Sequence, residues 1–158
     1  MSLLKPGDRF PDLTVTPVDA NPLRLPDAVA GHYAVVLFFR GAWCPYCNVQ
    51  LRGFERAHDK LAAQDIKVIA ASVDDEPTTR DLITKHGLHY PVGHSADAAG
   101  VSAATGAFVN PDPTYLQSTG FVLDPEGRIV TDVYSSGAIG RLTAEDVLGL
   151  VRYLRETQ

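Results

Sequence analysis

Residues Tyr33 to Phe39 (YAVVLFF) are an unbroken apolar run rich in β-branched and aromatic side chains, and the run leads directly into RGAWCPYC, residues 40–47. No polar residue alternates within it, so both of its sides must be covered. That pattern marks a central strand of a parallel or mixed sheet with helices on each face. A chain with such a strand must supply flanking strands and two apolar layers to enclose it.

The rest of the chain offers those parts. Leu13, Val15 and Val18 nearly alternate before Asn21-Pro22, which predicts an N-terminal hairpin. Cys47, Leu51, Phe54, His58 and Leu61 recur at spacings of four, three, four and three, predicting one helix with these residues on its inner face. Lys67 to Ser72 (KVIAAS) reads as a second buried strand. Asp75-Glu76-Pro77 opens a helix that Gly87 closes. His89 to Val92 predicts a short strand and Ala98 to Thr105 a short helix. Gly120 to Leu123, the turn Asp124-Pro125-Glu126-Gly127 and Arg128 to Tyr134 form a second hairpin. Thr143 with Asp146 resembles a capping box ahead of the stripe Val147, Leu150, Val151 and Leu154. The order β, β-α-β-α, β-β-α predicts an α/β sandwich around one sheet.

Bulk properties narrow the function. A length of 158 residues suits one domain spanning 1–158, and 45% hydrophobic with 21% charged residues is ordinary for a globular chain. A formal net charge of −5, with no basic block, argues against nucleic acid as a partner. The segment MSLLKPGDRF lacks a signal-peptide core, and no apolar run is long enough for a bilayer. The expected location is cytoplasmic, with no membrane association. In a reducing cytosol, a single CxxC is catalytic or metal-binding rather than a structural staple.

The two cysteines, Cys44 and Cys47, sit between a buried strand and a helix mouth. Unpaired N–H groups and the helix dipole favour an anion there, which lowers a thiol pKa and activates the sulfur. Pro45 suits an early helical position, and cysteines three apart on a helix can bring their sulfurs together. Cys44 is expected at an exposed tip and Cys47 on the inner stripe. Inert buried thiols would not need this spacing. A zinc site would need histidines such as His86 and His89, which lie some forty residues on. Redox chemistry without a cofactor or metal is the expectation. Arg40, ending the strand, can place a guanidinium near a thiolate or a peroxide oxygen. Trp43 and Tyr46 flank the thiols as an apolar rim, and His58 is expected to pack inward.

With these features in place, the chain resembles the alkyl hydroperoxide reductase/thiol-specific antioxidant (AhpC/TSA) family, the peroxiredoxin-like branch of the thioredoxin-fold superfamily. KPGDRFPDLTV resembles the family's entry hairpin and HYAVVLFFRGAWCPYC its active-site strand and loop. YPVGHSADAAGVSAATG and GFVLDPEGRIV resemble the segments that follow. The motif CPYC itself is similar to that of glutaredoxins. The resemblance implies a thioredoxin-like mixed sheet flanked by helices, with the N-terminal hairpin as an extension. In the family's register Cys47 takes the peroxidatic position and Cys44 that of a hydroxyl residue. Arg40 stands in place of a proline, and Ser118 stands near the place of a second arginine. Tyr115 to Thr119 passes opposite the thiols in that layout, so Ser118 and Thr119 join Trp43 and Tyr46 as substrate-binding candidates.

Two chemistries follow from the resemblance. In the first, Cys47 attacks a small hydroperoxide, Cys44 resolves the sulfenic acid, and a thioredoxin-, glutaredoxin- or glutathione-type reductant restores the pair. In the second, Cys44 attacks a substrate disulfide and Cys47 releases it. A non-catalytic binding module is the third class, and a homodimer is left open.

Overall fold

The computed structural model describes residues 3–157. Nine strands and five helices follow one another as β1 (Leu13–Pro17), β2 (Leu23–Leu25), β3 (Tyr33–Phe38), α1 (Pro45–Arg56), α2 (His58–Ala63), β4 (Ile66–Ala71), α3 (Glu76–His86), β5 (Val92–His94), α4 (Ala98–Thr105), β6 (Val109–Pro111), β7 (Thr114–Leu116), β8 (Thr119–Leu123), β9 (Ile129–Tyr134) and α5 (Ala144–Glu156). A 3₁₀ turn, Asp27–Val29, follows β2.

Seven strands form one mixed sheet in the order β2-β1-β5-β4-β3-β8-β9. The parallel centre pairs β3 with β4 (Val35↔Val68) and β4 with β5 (Ala70↔Val92), while β8 joins β3 antiparallel (Phe38↔Thr119). All six residues of β3 are buried, as the apolar run demanded. Their alternation divides the core in two. Tyr33, Val35 and Leu37 pack with both cysteines, with Leu51 and Phe54 of α1 and with Val147 and Val151 of α5. Ala34, Val36 and Phe38 face Phe10, Val101 of α4 and Phe121. Among the described residues no helix is long and apolar enough to cross a membrane.

The ends of the helices follow from their sequences. Asp75 Oδ1 accepts the Thr78 N–H (2.9 Å) at the start of α3, and Thr143 Oγ1 accepts the Asp146 N–H (3.1 Å) at the start of α5.

Three expectations need correction. The helix after CPYC is not continuous. Ala57, at φ −90° and ψ 7°, interrupts it, and His58 opens α2 facing solvent, its ring 5.9 Å from that of His89. Leu61 still returns to the core. The strand expected at His89 to Val92 instead starts at Val92, because Tyr90 turns inward to donate its hydroxyl to the Leu51 carbonyl (2.8 Å). The hairpin β6-β7 falls between Thr105 and Gly120, where the sequence pattern assigns no element.

One close approach fixes the sheet. A Cβ at Gly93 would lie 2.5 Å from Val15 Cγ1 and 3.3 Å from the Ala71 Cβ. Gly93→Ala should therefore destabilise the fold by about 1–3 kcal/mol through overpacking, read as a lower denaturant midpoint at unchanged slope. An unchanged midpoint would mean that β1 yields freely at this point.

Candidate active site

The site forms where β3 ends and α1 begins. Phe39 N–H still bonds to the Ala71 carbonyl (3.0 Å), and then the chain leaves the sheet. Gly41 permits the exit, since a Cβ there would lie 2.2 Å from Trp43 Nε1. Asp74, after β4, accepts the Ala42 N–H (2.8 Å), and Asn48 donates to the Ala42 carbonyl (3.0 Å). The loop is thus held from both sides before Cys44 caps α1.

Cys44 is the N-cap residue. Its Sγ accepts the Cys47 N–H at 3.3 Å, the bond that an Asp or Ser oxygen makes at an ordinary helix start. Both cysteines are free, and neither has any exposed surface. The expected exposed tip at Cys44 is therefore corrected. The walls are Trp43 and Tyr46, each 55% exposed, while the sulfurs lie beneath them, Cys47 the deeper of the two.

Two arginines converge on the sulfurs. The Arg40 backbone N–H donates to Cys47 Sγ (3.3 Å), and its guanidinium Nη1 reaches Cys44 Sγ (3.7 Å). That guanidinium is held by Gln117 Oε1 (3.0 Å) and the Tyr115 hydroxyl (3.1 Å), and it stacks 4.9 Å from the Trp43 ring and 5.2 Å from the Tyr115 ring. The second arginine, Arg141, comes from the loop before α5. Its Nη2 lies 3.2 Å from Cys47 Sγ and 3.7 Å from Cys44 Sγ. Gln50 of α1 fixes it by accepting from Nη1 (2.7 Å), and the Ala138 carbonyl accepts from Nε (2.6 Å).

These donors separate the two thiols. Burial opposes ionisation of Cys44, but the thiol and N–H of Cys47, the Arg40 guanidinium and the Arg141 charge outweigh it and hold Cys44 below the usual cysteine range. Burial pushes the Cys47 thiol up, and its hydrogen bond to Cys44 adds to that, while Arg141 and the Arg40 N–H oppose it. The arrangement fits one thiolate shared by two sulfurs, with the charge resting at the helix cap. Arg40→Ala should move the pH profile of thiol alkylation to higher pH, and an unchanged profile would reduce Arg40 to a wall residue.

A family model described as "AhpC/TSA family" matches residues 6–131. The chain belongs to that family. A peroxiredoxin of Methanothermobacter thermautotrophicus is 27% identical over 157 residues, covering 94% of this chain and 72% of its own. The thiol-disulfide oxidoreductase ResA of Bacillus anthracis is 24% identical over 147 residues, covering 92% and 76%. Among solved structures, peroxidoxin BcpB of Mycobacterium tuberculosis superposes with a TM-score of 0.83 at 20% identity over 96% of this chain and 99% of that one, which establishes the thioredoxin-like fold. This AhpC/TSA protein is accordingly a peroxiredoxin-family thiol peroxidase, an oxidoreductase with two close cysteines.

The candidates from sequence are only partly gathered here. Cys44, Cys47 and Arg40 meet directly, Trp43 joins through Arg40, and Tyr46 stands at the rim. Ser118 and Thr119 are buried and make no hydrogen bond to either thiol; Thr119 Oγ1 donates to the Gln117 carbonyl (3.0 Å). The contacts from that region come instead from Tyr115 and Gln117, which the β6-β7 hairpin places on Arg40. Arg141 was missed altogether. It supplies the cation that the register at Ser118 lacks, from a position 94 residues beyond Cys47.

Proposed function

We propose that this AhpC/TSA protein reduces small hydroperoxides with the Cys44–Cys47 pair, and that Cys44 is the attacking thiolate. The observation that carries the reading is two buried sulfurs under two guanidinium groups. A small peroxide needs a far smaller opening of the cover to reach these sulfurs than a folded protein carrying a disulfide does.

The Cys44 thiolate attacks the terminal peroxide oxygen, an S–O bond forms and the O–O bond breaks. The leaving hydroxide or alkoxide departs beside Arg40 and Arg141, whose N–H groups stabilise its charge, and it takes up a proton to become water or an alcohol. Cys47, as thiolate, then attacks the Cys44 sulfenic acid and expels hydroxide, which is protonated to water, leaving a Cys44–Cys47 disulfide. A thioredoxin-, glutaredoxin- or glutathione-type thiol donor supplies two electrons and two protons to restore the pair.

The assignment reverses the role that the family register gives to Cys47. Its support is the N-cap bond and the pair of guanidinium contacts on Cys44, set against the greater depth of Cys47. Mass spectrometry after one equivalent of hydrogen peroxide should find both thiols lost within a monomer and a disulfide linking Cys44 to Cys47. Two thiols still open to alkylation, or links only between molecules, would overturn the reading.

A further inference from the structure

The strand β4 is paired on both sides only at its last two residues, Ala70 and Ala71. The Phe39 N–H bonds to the Ala71 carbonyl, so the odd-numbered residues of β4 face β3 and the even-numbered ones face β5. Ala70 and Ser72 accordingly donate to the Pro91 and Gly93 carbonyls (3.1 Å and 3.2 Å). Val68, two residues earlier, aims its N–H and C=O the same way, but β5 begins only at Val92. In this register the donor to the Val68 carbonyl is the N–H of residue 91, and Pro91 has none. The acceptor for the Val68 N–H is the His89 carbonyl, which is drawn off as Tyr90 turns inward. Among the described residues neither main-chain group of Val68 has a hydrogen bond, although the residue is only 7% exposed. Buried main-chain groups are nearly always paired, so this is an open strand edge inside the fold.

A cavity of about 340 Å³ lies along that edge, within the range of small-molecule sites. Both layers of the core wall it. Phe54, Leu61 and Tyr90 belong to the layer that holds the cysteines, and Val29 and Ile69 to the opposite one. The cavity is also remote from the thiols. It sits where β3 and β4 begin, and β3 rises about 20 Å from Tyr33 to the site loop at 3.3 Å per residue. Its rim is polar. Lys67 is exposed there and forms no salt bridge among the described residues, while the neighbouring Asp65 carboxylate is held by His32 (2.8 Å). His58 and His89 complete the rim, and His89 is taken by Glu55 (2.6 Å). The one uncompensated charge at this rim is therefore positive.

We infer that this cavity is a ligand site for a short, apolar, N-acylated peptide with a free carboxylate, bound as an added piece of strand beside β4. One residue of the ligand donates its N–H to the Val68 carbonyl and accepts the Val68 N–H, as a strand added to a sheet edge does. Successive side chains of the ligand fall on opposite faces, one against Phe54 and Leu61 and the next against Val29, so both are apolar. The carboxylate meets Lys67 at the rim. The site is independent of the thiol chemistry.

Titration of the ¹⁵N-labelled, reduced protein with N-acetyl-dileucine, followed by NMR, provides the test. The Val68 amide signal should move downfield and saturate, with a Kd below about 1 mM. An analogue in which an ester oxygen replaces the N–H of the first leucine should bind about tenfold more weakly, because the Val68 carbonyl stays unpaired. The C-terminal amide of the same peptide should bind about threefold more weakly than the acid, and Lys67→Met should abolish that difference. Ala62 lines the cavity from an exposed position on α2, so Ala62→Phe fills the space without entering the core. That variant should keep the parent spectrum away from the cavity and lose the response of Val68 to the peptide. No saturable shift at Val68 up to about 5 mM peptide would overturn the site. So would equal affinity for the ester analogue, or a response that survives in a folded Ala62→Phe protein.

Discussion

Cys44→Ser should leave the protein inert toward hydrogen peroxide, while Cys47→Ser should react once and stop at a sulfenic acid on Cys44. The asymmetry follows from where the charge rests. Cys44 accepts the Cys47 N–H at the helix cap and touches both guanidinium groups, so its thiolate persists to lower pH than that of an ordinary cysteine. Cys47, pushed up by burial, is mostly protonated near neutrality. Serine at position 44 removes the nucleophile but keeps a cap acceptor, so the fold should survive. Dimedone adduct mapping on the Cys47→Ser protein reads the result. A Cys44→Ser protein that forms a dimedone adduct on Cys47 at the parent rate would assign attack to Cys47.

Arg141→Ala should slow peroxide reduction by about 10²-fold or more, the usual effect of removing one charged donor aimed at developing negative charge. Among the described residues, Arg141 is the one side chain hydrogen-bonded to both sulfurs, at 3.2 Å and 3.7 Å. Its loss also removes a charge that holds the Cys44 thiol down, so the pH–rate profile should move to higher pH. Arg141→Lys should recover part of the rate, since the charge returns without the fork that bonds Gln50 and the sulfurs together. A rate and profile matching the parent in Arg141→Ala would make this arginine a strut for the loop.

The legible parts of this protein are those dictated by short-range pattern. YAVVLFF could only be a strand covered on both sides, and it is an interior strand of the sheet, between β4 and β8. Thr143 and Asp146 mark the start of α5 as residue chemistry requires. The entry hairpin and the hairpin after Gly120 likewise lie where their patterns put them. What escaped depends on distant parts. The break at Ala57 carries no proline or other strong breaker, and the helical spacing runs straight through it. The β6-β7 hairpin hides among prolines, yet it delivers Tyr115 and Gln117 to Arg40. Arg141 lies in a glycine-punctuated loop, GAIGRL, with no motif around it. Only the packing of the start of α5 beside α1, fastened by Gln50 donating to the Leu142 carbonyl (3.0 Å), brings it to the sulfurs. The exposure of Cys44 was misjudged for a related reason. The helix mouth is exposed in an isolated motif, but here two arginines and the loop before α5 roof it over.

The peroxide reading and the disulfide-exchange reading differ most in which oxidant the reduced protein consumes first. Stopped-flow mixing of the reduced protein with hydrogen peroxide and, separately, with a model disulfide such as glutathione disulfide measures that preference directly. Buried thiols under two guanidinium groups predict that peroxide reacts at least 10²-fold faster, with the disulfide limited by access to the sulfurs. A faster reaction with the disulfide, accompanied by a mixed disulfide trapped on Cys44 in the Cys47→Ser protein, would contradict the account and make this chain a thiol–disulfide exchanger.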